Sequence, residues 1–347
     1  MSTIQELLYS NYIKYDRLSR LCSLFKPNSY MDVYVDVYSM IKSLYNRNDL
    51  RVDIYTSVTS SIINLCAHYR YFLSNYGIDT TFYIINSQNT SMLNKTFCPE
   101  YNAKIEYAYK MDSRMNDIIL SNISLLETLC PYLPDVHFIN SVESYETGSI
   151  ISYIMDNANP TNERYNVIIT RDIYNYQLVQ RPNTFILRPK KTPDGDMSYI
   201  INNENVMKIF LWERKNSIQE TILNPGLLST LIALSNCPER NIKSLLNINT
   251  ALLSLEDAVK NFRISNNYNF YINSLWEALN NINAIYNIGE TGLTYRFKAV
   301  DLIFQSSVYS NTAECSMLKF DNLYDPEGVK RINEQYFENN PLDLEGL

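Results

Sequence analysis

Histidine, glycine and net positive charge are all scarce in this chain, and each shortage narrows what it can do. Only two histidines, His68 and His137, stand among 347 residues. Neither accompanies a Ser or Cys nucleophile, so a triad mechanism has no support, and each reads as a structural histidine. Six cysteines (Cys22, Cys66, Cys98, Cys130, Cys237, Cys315) are dispersed without a CxxC pair or a neighbouring histidine. That spacing argues against a structural zinc site and a disulfide framework, and fits free thiols in a reducing compartment. The formal net charge is -7. Phosphate backbones therefore meet no global attraction, because nucleic-acid affinity comes from clustered Lys and Arg that release counterions. No apolar run approaches ~18 residues, and the polar opening MSTIQELLYSNYIKYDR carries no signal-peptide core. The expected protein is soluble, cytoplasmic or virion-associated, neither secreted nor bound to a membrane.

What is present is a globular composition. Hydrophobic residues make up 46% of the chain, enough for a packed core, and the length allows one large domain or two small ones. Twenty-nine tyrosines against eight glycines, with many Asn and Ile, suggest an AT-rich coding bias. A tyrosine-rich surface would suit protein contacts, since tyrosine offers large area at low entropy cost.

Along the chain, residues 1–29 read as one or two helices, with Ile4, Leu7, Leu8, Tyr12 and Ile13 at helical spacing, closed by Lys26-Pro27-Asn28-Ser29. An alternating strand from Tyr30 ends near Asp36, and a helix follows from about Ser39. A helix over 57–76 leads through Gly77 into a second strand at Thr81–Ser87. Alternating strands and helices imply a parallel sheet. Residues 106–133 read as helical, with Ile118, Ile119, Ile123, Leu125, Leu126 and Leu129 as an apolar stripe before Pro131 and Pro134. A short strand holds His137. Then come an amphipathic helix, a polar loop, the strand Asn166-Val-Ile-Ile-Thr and the segment Arg171-Asp-Ile-Tyr-Asn-Tyr-Gln-Leu-Val. A strand from Thr184, a basic turn Arg188-Pro-Lys-Lys and short strands near 198–202 complete this part. The basic turn is either a solvated loop or a phosphate or partner contact.

The order of strand, acid, short turn and Gln-Leu-Val resembles the central motif of the flap-endonuclease and 5′-to-3′ exonuclease family, relatives of PIN-domain nucleases. Thr170-Arg-Asp-Ile-Tyr-Asn-Tyr-Gln-Leu-Val follows the family's Thr-Gly-Asp-x-Asp-x-x-Gln-Leu-Val, keeping Asp172 and replacing the second Asp by Tyr174. Glu146-Thr-Gly-Ser follows Glu-Ala-Asp-Asp, keeping Glu146 and replacing two aspartates by Gly148 and Ser149. Asp36 matches the first catalytic Asp at a strand's carboxyl end, where α/β sheets place ligand-binding groups; a helix-cap carboxylate is the competing reading. The acid of the second strand is Asn86. Pro99-Glu-Tyr and Ala103 fit a further family segment whose basic positions here are Asn94, Asn102 and Ile105, with Lys95 and Lys104 nearby. Ala233, Leu234, Asn241, Ile242 and Ile248 fit the entry to the family's helix-three-turn-helix, but its acids are replaced by Cys237 and Arg240, and its Gly-Ile-Gly by Asn247-Ile-Asn. Glycines let backbone amides approach a phosphate closely, so this grip is weakened.

The resemblance spans about residues 30–262. It implies an α/β fold with a PIN/flap-endonuclease-like parallel central sheet flanked by helices and a helical helix-three-turn-helix-like subdomain. The division is 1–29 N-terminal helical extension, 30–215 nuclease-type domain, 216–290 helical region and 291–347 C-terminal extension. Within that last part the acidic tail only faintly resembles sliding-clamp peptides, and otherwise reads as a tail docking on its own or a neighbouring subunit. Two-metal phosphodiester hydrolysis needs several converging carboxylates. Asp36, Glu146 and Asp172, with Glu143 one turn earlier as a substitute ligand, suffice for one Mg²⁺ or Mn²⁺ ion at most. The first expectation is a catalytically degenerate nuclease with no cofactor, serving as a binding or structural subunit of a phage replication or virion assembly. It would partner other, phage-encoded subunits. The second is an active nuclease with a reduced metal site. The third is a non-catalytic DNA-binding protein whose basic face is Lys95, Lys104, Arg188, Lys190 and Lys191.

Overall fold

The computed structural model describes residues 12–14, 24–45, 54–87, 98, 101, 113–141, 146–158, 164–192, 195–214, 225–235, 240–242, 299–300 and 302. Seven strands form one sheet in the order β1-β7-β6-β5-β2-β3-β4. They are β1 (Tyr12–Lys14), β2 (Ser29–Asp36), β3 (Ile78–Ser87), β4 (Val136–Ser141), β5 (Tyr165–Ile169), β6 (Thr184–Thr192) and β7 (Gly195–Ile201). Strands β6, β5, β2, β3 and β4 run parallel. β7 and β1 extend the β6 edge antiparallel, so the sheet is mixed rather than wholly parallel.

The alternation in β2 sorts side chains to two faces, as a period of two requires. Met31, Val33 and Val35 enter a core with Ile41 of α1 (Val37–Tyr45), Val58 and Ile62 of α2 (Ile54–Ser74) and Ile118 and Leu126 of α3 (Ser113–Leu129). Tyr34 enters the opposite core. That core holds Ile150 and Ile154 of α4 (Thr147–Ala158), Phe210 of α5 (Val206–Glu213) and Leu231 of α6 (Leu228–Leu234). Both faces are thus covered, which is why the central strands read as nearly continuous apolar runs. Each fully buried Val, Ile or Leu contributes roughly 1.5–3 kcal/mol.

Two turns are set by backbone chemistry. Gly77 ends α2 at φ 69, and a Cβ there would meet Asn28 Oδ1 at 2.8 Å. After α3, Pro131 opens a short 3₁₀ turn at Cys130–Tyr132, the stop its ring enforces.

Several expectations are revised. Tyr12–Lys14 is a strand rather than part of a helix, because its backbone pairs with Tyr199–Met197 of β7 and edge pairing overrides the local spacing. Arg188-Pro-Lys-Lys is no turn: it lies within β6, with Lys190 opposite Met197 and Lys191 opposite Asp196. The tyrosines are not only a surface feature, since Tyr34, Tyr69, Tyr101, Tyr174 and Tyr176 are among the largest fully buried side chains. Most of the expected helix-three-turn-helix and the acidic tail lie outside the described residues.

Candidate active site

The strand order reverses between β2 and β5, and it is at such a point, beyond the carboxyl ends, that open α/β sheets form their ligand crevice. Asp36 closes β2, and Thr170 and Asp172 follow β5 directly. Glu146 precedes α4, whose first turn packs against the same end. Sheet topology therefore brings together the three acids picked out in the sequence.

Each acid is already engaged. Asp36 is 2% exposed and caps α1, accepting the Ser39 N–H on Oδ1 at 3.0 Å and the Thr170 hydroxyl on Oδ2 at 2.8 Å. Burial, and then the neighbouring Asp172 carboxylate, push its pKa up to about 7; Ser39, Thr170 and Arg240 pull the other way. Asp172 accepts the Tyr174 N–H on Oδ1 at 3.0 Å, capping the 3₁₀ helix Ile173–Gln180. Its own N–H donates to Thr170 Oγ1 at 3.0 Å, so Thr170 joins the two aspartates. The cap reading of Asp36 is thus correct as geometry, and Asp172 shares it.

The remaining partner is one the motif comparison treated only as a lost acid. Arg240 donates from Nε to Glu146 Oε2 at 2.9 Å and from Nη2 to Asp172 Oδ2. Its guanidinium lies 4.6 Å from the centroid of the Tyr174 ring, a cation–π contact made stronger by burial. Arg240 is 2% exposed and Glu146 is fully buried. Burial raises the Glu146 pKa, and the guanidinium beside it opposes that rise. Two of the family's acid positions, now Tyr174 and Arg240, therefore stack on each other. The signal for Arg240 was in the sequence: a positive charge where the resemblance places a carboxylate.

The position of a further family aspartate is also filled. A Cβ on Gly148 would sit 2.4 Å from Asn175 Oδ1 and 2.8 Å from Leu302 Cδ1, so no carboxylate fits there without displacing both. Leu302 is anchored in turn: its N–H points at Gln177 Oε1, 3.4 Å away, while the Tyr174 hydroxyl donates to the Ala299 carbonyl at 3.3 Å. Ser149 is buried. Asn86 donates to Asn140 Oδ1 at 2.9 Å rather than presenting an acid.

A catalytic metal pair needs free carboxylate oxygens gathered about each ion. Asp172 has both oxygens engaged, Glu146 gives Oε2 to Arg240, and Gly148 has no room for an acid. The described residues do not fit a two-metal centre. Among the described residues no group of three or more His, Cys, Asp or Glu side chains could hold an ion.

Of the other expected site residues, Glu143, Lys95 and Lys104 lie outside the described residues, as does Cys237. Arg188 points inward: Nε pairs with Glu213 at 3.0 Å, Nη1 donates to the Arg171 carbonyl at 2.7 Å, and the group stacks on Tyr176. Lys190 and Lys191 have paired strand backbone. His137 stacks on Tyr83, and burial lowers its pKa, in keeping with a structural role.

A mixed sheet with helices on both faces and acids at its switch point defines a flap-endonuclease-like, 5′-nuclease-like fold. Among the solved structures it resembles are those of the bacteriophage T5 enzyme. One is a pseudo-enzyme form of the T5 flap endonuclease in complex with product DNA and metal ions. It has a TM-score of 0.54 and 14% identity, covering 88% of this chain and 100% of that one. Another is the same T5 protein co-crystallised with metal ions (TM-score 0.55, 13% identity, 87% of this chain and 98% of that one). A third is the T5 5′-exonuclease with bound zinc ions (TM-score 0.54, 13% identity, 88% and 98%). At such identity the likeness concerns the fold. No family model matches the chain, and no curated protein matches it in sequence.

Proposed function

We propose that this chain is a nuclease-derived protein without phosphodiesterase activity that serves as a binding or structural subunit, in the setting of phage replication or virion assembly. One observation carries the reading: the Arg240 guanidinium lies between Glu146 and Asp172, where a catalytic centre needs open carboxylate oxygens. The phage setting rests on the motif resemblance and the coding bias. Protein partners fit the acidic net charge better than DNA does. DNA has a minor part, because Arg188, one of five basic residues considered for it, is committed to Glu213.

The test is a 5′-flap cleavage assay in Mg²⁺ or Mn²⁺ beside Asp172→Ala. The expected outcome is no cleavage by either protein. Metal-dependent cleavage that the substitution abolishes would establish an active nuclease instead. Affinity for branched DNA is expected to be weak; a strong, steeply salt-dependent affinity would favour the DNA-binding alternative.

A further inference from the structure

Building on the closed-centre reading above, we propose that Arg240 is the resident cation of this site. Its guanidinium occupies Glu146 and Asp172 as a bound ion would, and so keeps divalent metals out.

The geometry is that of a held ion rather than of a surface pair. Two nitrogens of one planar group serve two acids, which lie 94 and 68 residues away in the chain. The Tyr174 ring covers its face. An exposed ion pair contributes little, but here the arginine side chain is 3% exposed and its partners 0% and 13%. Arginine suits the task because its rigid fork matches carboxylates and its charge persists when buried.

The charge balance gives the consequence. Three carboxylates face one guanidinium. The Ser39 and Tyr174 N–H groups and the Thr170 hydroxyl moderate Asp36 and Asp172, but each is only a dipole. Removing the guanidinium takes this countercharge from the buried Glu146 and the partly exposed Asp172, with the Asp36 carboxylate nearby. A small divalent ion that takes oxygen ligands restores the balance with two positive charges. Arg240→Ala is therefore expected to acquire a Mn²⁺ site that the natural protein lacks.

The experiment compares the full-length natural chain, Arg240→Ala, and Arg240→Ala with Asp172→Asn. Melting temperature is followed against millimolar MnCl₂ and, separately, millimolar guanidinium chloride, with calorimetric Mn²⁺ titration alongside. The natural chain is expected to ignore Mn²⁺. Arg240→Ala is expected to melt on the order of 10 °C lower, to recover much of that with Mn²⁺, and to bind Mn²⁺ at least about tenfold more tightly than the natural chain. The added Asp172→Asn is expected to cancel the recovery. An Arg240→Ala protein indifferent to Mn²⁺, or rescued by guanidinium alone, overturns the proposal, as does tight Mn²⁺ binding by the natural chain. Should Arg240→Ala not fold, Arg240→Lys retains a charge without the fork. Its Mn²⁺ affinity is expected to exceed that of the natural chain, and equality overturns the proposal. Flap cleavage by the natural chain would instead defeat the closed-centre reading, whereas a metal-indifferent Arg240→Ala beside an inactive natural chain defeats only this proposal.

Discussion

Asp32 shows how a single buried acid sets a pH dependence in this fold. It lies on β2, fully buried, and accepts Arg164 Nη1 on both oxygens at 2.9 and 3.2 Å. Burial outweighs the guanidinium and raises its pKa to about 6. The unfolded chain releases that proton near pH 3.9. Between those values the folded state holds more protons, so this group's contribution to stability falls as pH rises from ~4 to ~6, with a slope of up to about 1.4 kcal/mol per pH unit. Asp32→Asn is expected to lessen the slope of the urea midpoint across that window, where Asp36, raised to about 7, still contributes. An unchanged slope would mean that the Arg164 pairing, not burial, governs Asp32. Residues of this kind are only partly legible in a sequence. Asp36 stood out at a strand end, which local alternation reveals, and Asp172 through the motif resemblance. The charge of Arg240 at an acid's position was legible, but its partners were not, because they are distant in sequence and meet it only in space.

At the scale of elements, α2 and α3 show how a polar joint fixes a helix crossing beneath the sheet. Asn122, fully buried, accepts the Thr59 N–H and hydroxyl on Oδ1, each at 3.0 Å, and donates to the Ile118 carbonyl at 2.9 Å. Asn122→Ala leaves the buried Thr59 hydroxyl with a poorer partner set and is expected to cost roughly 1–3 kcal/mol in urea unfolding. A cost below ~0.5 kcal/mol would show that the joint is replaceable by water or repacking. The apolar stripe of α3 was readable because burying one face imposes a helical period. The joint was not, since an Asn within an apolar run reads as a mere interruption. The strand at Tyr12–Lys14 and the extension of β6 through Lys190 and Lys191 were misread for a related reason. Pairing to β7 supplies their hydrogen bonds, and neither segment announces its partner locally.

For the whole molecule, the most telling contact joins Gly148 to Leu302, residues far apart in the chain. Leu302 fills the space over Gly148 and is fully buried. Gly148→Ala is expected to cost about 1–3 kcal/mol from overpacking, and Leu302→Ala about 2–5 kcal/mol from the cavity it leaves. Combined, they should cost less than their sum by roughly 0.5–3 kcal/mol, because the smaller residue at 302 makes room for the added Cβ. Strict additivity in a double-mutant cycle would place the two residues out of contact.

The sequence by itself determined the alternation of strands and helices, the placement of Asp36, Glu146 and Asp172 at a common sheet end, and the replacement of their companion acids. The alternation and the position of Asp36 follow from periodicity and strand ends, local properties of the chain; Glu146, Asp172 and the replaced acids follow from the motif resemblance. Only the tertiary structure decided what fills the acid centre. Arg240, Tyr174 and Leu302 converge there through long-range packing, and together they engage the Glu146 and Asp172 oxygens and fill the space over Gly148.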